Sequence, residues 1–185
     1  MIEIDKTKYK KVHTRQIDIN TYDCGSDAVI VEGRLKDDRL QKIYRTTGEG
    51  VPPGTVHHMI IRMKVHSPGL IIEDIDVDMP TTPHAECAQT RTSLEPVKGM
   101  KITSGFTNSV KDRVGGVKGC AHLIALLVSM ASAAVQGSWA AASAQPANPA
   151  IYFDKAMAVM VNTCRVWRAD GPMVKKYRGK FKSNS

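Results

Sequence analysis

The sequence predicts an α+β domain: an antiparallel β-sheet from the N-terminal half, packed by helices from the C-terminal half. Three observations carry this. Segments before residue 80 run apolar or alternate apolar and polar with a period of two. Segments after residue 100 repeat apolar residues at helical spacing. Strands come first and helices after, rather than in the β–α alternation that builds a parallel sheet.

Four stretches read as strands: VHTRQIDI (12–19), AVIVEGRL (28–35), VHHMIIRMKV (56–65) and GLIIEDIDVDM (69–79). Gly, Pro, Asn or Asp stands at their ends, and the Ser67-Pro68-Gly69 turn marks a hairpin between the last two. TTGEGVPPG (46–54) reads as a loop. A short helix is expected over 86–94 and another over 108–114, stopped by Gly115-Gly116. The strongest helical pattern covers 120–136, with apolar residues at 123, 124, 127, 130, 131 and 134. GSWAAASAQPANP (137–149) reads as a small-residue loop. Asn148-Pro149 then offers an N-cap and a first-turn proline for a last helix ending near Trp167. Ala156, Met157, Met160, Val161 and Cys164 share one face of it.

A chain of 185 residues with 42% hydrophobic content suits one domain, expected over 1–168, with 169–185 as a basic, flexible tail. The net charge of +8 is concentrated there. From Arg165 onward seven basic residues face a single acid, Asp170, so the body is nearly balanced. Only Tyr177 and Phe181 interleave those cations, so a solvated tail is expected ahead of nucleic-acid binding. No apolar run approaches the ~20 residues of a membrane span, and the first residues have no apolar h-region. A cytoplasmic location with no membrane partner is therefore expected. The four cysteines (24, 87, 120 and 164) lie far apart without a CxxC, which argues against a disulfide framework. The Ala-rich helix and methionine faces suit a homo-oligomer interface and an internal core equally well.

Strand alternation places four ionisable residues on apolar faces. His13 and Arg15 share a face with Ile17 and Ile19. His57 falls in line with Met59, Ile61 and Met63, while His58 points the other way. Glu73 falls in line with Ile71, Ile75 and Val77. Burying unpaired charge is costly. These residues therefore pair with one another, Arg15 with Glu73, or line a functional pocket. Cys87 and Cys120 stand at helix starts, where backbone N–H groups favour a thiolate, the form that binds metal or attacks as a nucleophile. Residues two apart in a helix diverge by about 200°. Cys120 and His122 can thus share a metal only if Cys120 sits at or before the N-cap, which the glycines at 115, 116 and 119 allow. The expected metal ligands are His57, Cys87 and Cys120, with His122 as an alternate ligand or a support and His84 as a weaker candidate.

The order HTR (13–15), VEGRL (31–35), PPGTVHHM (52–59), a proline and cysteine after the next strand, then GVKGCAHL and an AAVQ helix resembles a bacterial family known as a domain of unknown function. The resemblance spans roughly residues 10 to 137. It implies a shared fold and site and brings no activity. More remotely, PPGTVHHMIIRMKVHSPGLIIEDIDV is similar to the strand pair of the iron–sulfur cluster scaffold family (the IscU and NifU N-terminal type) over about residues 50 to 136. That resemblance implies a scaffold-like fold, with Cys87 and Cys120 matching two cluster cysteines. Thr55 stands where the scaffold has its first cysteine and His57 where it has an aspartate.

This departure suits a mononuclear Cys/His-ligated zinc or iron site better than a three-cysteine cluster. The expected function is a metal-dependent enzyme, a lyase or hydrolase, acting on a small anionic metabolite with the metal as Lewis acid or water activator. In it Arg15 holds the anion, and Glu73 or His13 serves as acid or base. One alternative is an iron–sulfur or metal carrier; a second is a non-catalytic binding module that uses the basic tail.

Overall fold

The computed structural model describes residues 1–67, 69–144, 157 and 160–182. Four long strands form one antiparallel sheet: β1 (His13–Asp23), β2 (Ala28–Arg39), β5 (Gly54–His66) and β6 (Ile71–Thr81), in the order β1-β2-β5-β6. The loop expected over 46–54 contributes to a minor ribbon, β3 (Ile43–Tyr44) with β4 (Gly50–Val51). The α+β architecture expected from the sequence is therefore present: a sheet from the first half and helices packed on it.

One face of the sheet is the core. Val29, Val31 and Leu35 of β2, Met59, Ile61, Met63 and Val65 of β5, and Ile72, Ile75 and Val77 of β6 are buried there. Each side chain fully removed from water stabilises by about 1.5–3 kcal/mol, so strand phase is strongly enforced. That phase breaks once where simple alternation does not anticipate it. Lys64 pairs with Asp74 but Val65 pairs with Ile72, so Glu73 is left over as a bulge. The bulge turns Ile72 inward with Ile75 and turns Glu73 out, where its Oε2 lies 2.7 Å from Lys64 Nζ. The inward placement of Glu73 and its pairing with Arg15 are thereby corrected.

Helix α1 spans Phe106–Val114 and α2 spans Ala121–Ala142. The segment expected as a short helix over 86–94 is a 3-10 turn at Ala85–Thr90 followed by another at Glu95–Val97. Helix α2 buries Leu123, Leu126, Leu127 and Met130 against the sheet. By length and composition it would also pass as a membrane span, with a mean hydropathy of 1.6 over its most apolar window. It runs six residues into the expected 137–149 loop, because alanine is the best helix former and Gly137 is tolerated for a contact. A Cβ there would collide with Thr21 of β1. A second glycine sets the crossing over β2: a Cβ on Gly33 would stand 2.5 Å from Met130 Sδ and 3.1 Å from Leu126 Cδ1.

The proposed start of the last helix, including Asn148 and Pro149, lies outside the described residues. Where the sequence suggests a tail, α3 runs from Pro172 to Lys182, with Val174 buried.

Gly33→Val forces Met130 and Leu126 off the sheet. A loss of about 1–3 kcal/mol in urea unfolding is expected. Met130→Ala in the same chain should recover part of it, so that the two changes are non-additive in a double-mutant cycle.

Candidate metal centre

The site is organised by sheet register. Arg15 of β1 is directly opposite Asp37 of β2, and Asp37 is directly opposite His57 of β5. Directly opposed residues of an antiparallel pair share a face, so the three side chains form a row across the inner face. Just beyond Asp37 the register with β5 shifts: Asp38 pairs with Thr55, and Val56 is left over. Asp38 then accepts a hydrogen bond from the Thr55 hydroxyl at 2.7 Å.

Asp37 is the centre, and it is only 2% exposed. Arg15 grips it with both arms of a fork: Nε donates to Oδ1 and Nη2 to Oδ2, each at 2.7 Å. His57 Nδ1 lies 3.1 Å from Oδ2, and His13 Nε2 lies 3.5 Å from Oδ1. His122 approaches from above, on the first turn of α2, with Nε2 3.7 Å from Oδ2. Its ring stacks on His57 with centroids 3.8 Å apart. Asp37, His57 and His122 each offer one ligand atom, and these atoms lie within 4.8 Å of one another.

The electrostatics follow from that arrangement. The hydrogen bond from Arg15 holds the Asp37 carboxyl below the usual carboxylate range. Burial opposes this, and the positive charges of Arg15 and His57 reinforce it. The same bond raises Arg15. Burial, then the charges on His57 and Arg15, lower His122, against the pull of Asp37. A lowered imidazole is neutral at neutral pH, the form that binds metal.

Cys120 is the N-cap residue of α2, with extended backbone (φ −107°, ψ 125°). This is the placement that lets residues 120 and 122 meet, and Cys120 Sγ lies 3.8 Å from His122 Nδ1. With Nδ1 facing the thiol, Nε2 is left facing Asp37. Cys87 is half-buried against the core, and neither sulfur belongs to the cluster of mutually close ligand atoms. His84 precedes the first 3-10 turn and is exposed. Glu73 is remote from the row because it lies beside Lys64, seven residues along β5 from His57, and its bulge turns it out. Of the inward set expected from the sequence, His13, Arg15 and His57 converge. The residue they converge on, Asp37, is absent from the expected set. Its signal was the β2 alternation, Val29, Val31, Gly33, Leu35, carried one step past the end assigned to that strand.

The profile of a family described as protein of unknown function (DUF2889) matches residues 13–136, two thirds of the chain, and the chain belongs to that family. The matched span contains every residue of the site. No curated protein and no solved structure matches the chain.

Because the Asp37 carboxyl is depressed in the folded state, its ion pair stabilises above the unfolded value of about 3.9. That contribution is lost as pH falls through the folded value. Asp37→Asn is expected to lower stability at pH 7 by about 2 kcal/mol. This is less than for a fully buried pair, because Arg15 is 40% exposed. The variant should also flatten the acid limb of unfolding midpoint against pH below about 4, measured by denaturant titration at a series of pH values.

Proposed function

We propose that this member of the family binds one divalent metal ion through Asp37, His57 and His122 and uses it on a small anionic metabolite. The observation that carries the reading is the meeting of two imidazoles and one carboxylate from three separate elements, with ligand atoms within 4.8 Å of each other. Two histidines and a carboxylate with open positions form a set found around catalytic zinc and around mononuclear iron(II). Asp37 can serve Arg15 and a metal together, since a carboxylate has about four lone-pair sites and the fork uses two. A bound metal would supply Lewis acidity or lower the pKa of a coordinated water.

The surrounding residues supply the rest. Arg15 anchors Asp37, and its exposed side carries positive charge toward an incoming anion. His13, half exposed at the rim, is within reach to move a proton. Cys120 holds His122 so that Nε2, rather than Nδ1, faces the cluster, a supporting contact of the kind that orients ligating histidines elsewhere. The iron–sulfur or metal carrier reading has less support, since Cys87 and Cys120 stand outside the cluster and Thr55, in place of a third cysteine, is engaged with Asp38.

A second reading rests on one alignment. Cys120 Sγ, His122 and Asp37 lie in series at 3.8 and 3.7 Å, the order nucleophile, base, orienting carboxylate. It predicts alkylation of Cys120 by iodoacetamide faster than of the exposed thiols at Cys24 and Cys164, with no metal required.

Elemental analysis and titration calorimetry with zinc or iron(II) under anaerobic conditions test the first reading. One metal per chain is expected, lost in His57→Ala and His122→Ala and retained in Cys87→Ser. Cys120→Ser should keep the metal but weaken it about 10–100-fold. Folded wild-type protein that takes up no metal in excess sinks the proposal.

A further inference from the structure

The basic C-terminal region is not used by the site at Asp37, and it is more than a solvated run of charge. Residues 160–171 form a compact, hydrogen-bonded turn. Asn162 N donates to Trp167 O, Trp167 N to Cys164 O, Ala169 N to Asn162 Oδ1 and Gly171 N to Arg168 O. The turn delivers the chain to α3 at Pro172. Between the turn and the first turns of α3 lies a groove of about 450 Å³, lined by Arg165, Val166, Arg168, Pro172, Met173 and Lys176. Three cations therefore surround an apolar floor. One acid stands near them: Asp170, 84% exposed, lies 3.4 Å from Arg168 Nε. Arg168 Nη1 also donates to the backbone carbonyl of Arg165, which fixes the Arg168 side chain against the turn.

Two features flank the groove. Lys175 and Arg178 are exposed on α3, on a face turned away from Lys176 by about 100° or more, so they add to the positive field around the groove without lining it. Tyr177, 40% exposed, lies one turn beyond Met173, and its ring sits 5.7 Å from that of Trp167. A flat aromatic surface beside a cationic groove is how single strands are held, with phosphates on the cations and a base on the ring.

We infer that the groove lined by Arg165, Arg168 and Lys176, with the exposed Tyr177 beside it, binds single-stranded nucleic acid, with the phosphate backbone on the three cations and one base stacked on Tyr177. A duplex fits less well, because the aromatic would have no free base face to meet. The sequence alone favours a bare tail, since it does not reveal that the turn at 160–171 gathers Arg165 and Arg168 opposite Lys176.

The test is fluorescence anisotropy of a labelled 12-nucleotide oligo(dT) with the full chain at 50 and 200 mM salt. With about three phosphates neutralised, one per groove cation, log affinity should fall with a slope of about −2 against log salt, or about 20-fold between the two concentrations. Arg165→Gln/Arg168→Gln/Lys176→Gln should bring the slope close to zero. Tyr177→Ala should weaken binding about 5- to 100-fold with the slope unchanged. Should the triple variant misfold by circular dichroism, Lys176→Gln alone and the wild-type salt slope carry the test. No binding at 50 mM salt overturns the inference, as does binding indifferent to the groove variants. Equal displacement by inorganic triphosphate would replace the strand by a small polyphosphate. Binding to phosphatidylserine vesicles without binding to oligo(dT) would replace it by an anionic membrane surface.

Discussion

The inner face of the sheet depends on one buried carboxylate. Asp37 is almost fully removed from water at the end of a strand whose other inward residues are apolar. An unpaired carboxylate there would cost several kcal/mol. The Arg15 fork offsets that cost, and Arg15 comes from β1, which pairs with β2 alone. The pairing of β1 is thus tied to the charge it delivers. A one-residue slip of β1 would send Arg15 to the opposite face and leave Asp37 uncompensated. Register is usually fixed by apolar burial, but β1 has little of it: Ile17 is 43% exposed. In this strand the ion pair does much of the work that apolar side chains do in β5.

The same carboxylate dictates how α2 must enter. His122 reaches Oδ2 only if the first turn of α2 sits above the Asp37–His57 row. The helix then crosses β2 at Gly33 and reaches β1 at Gly137, two places where a side chain would hold it off. Helix α2 therefore has one face for the core (Leu123, Leu126, Leu127 and Met130) and a first turn for the site. Cys120 marks the boundary. It takes extended backbone, so that its thiol points along the strand-like approach and meets the imidazole two residues later.

Period-two and helical patterns made most of this fold legible. The inward phase of His13, Arg15 and His57 follows from alternation, and the position of Cys120 follows from the glycines that precede α2. What alternation does not show is where it stops. Glu73 has the phase of a core residue on paper, and only the pairing of Val65 with Ile72 shows that it is skipped. Asp37 presents the converse case. It follows Leu35 in strict alternation but sits in a KDDR stretch that reads as a strand ending, and its partners stand 22 and 20 residues away in sequence. Local pattern assigns faces; register assigns partners, and register depends on contacts distant in sequence. The 137–142 segment is illegible in the sequence for a different reason. Its small residues resemble a loop, yet an alanine-rich stretch continues a helix at little cost when the helix is already anchored.

Charge balance narrows what the centre can accept. Asp37 contributes one negative charge, and Arg15 already neutralises it. A divalent cation placed among Asp37, His57 and His122 would leave the cluster with two surplus positive charges, provided that both imidazoles are neutral. Burial and the Arg15 charge press His122 toward the neutral form that binds metal. The surplus must then be met from outside, because among the described residues Asp37 is the one carboxylate in contact with the row. The direction of that compensation is set by exposure: His13 and Arg15 are the exposed members, at 50% and 40%, while His57 and Asp37 are covered. An anion entering along β1 meets the Arg15 guanidinium and the exposed His13 ring first and the covered Asp37–His57 pair last. On the proposed metal-binding reading, that order, set by which strand lies at the edge of the sheet, would make an anion the natural fourth component of the centre.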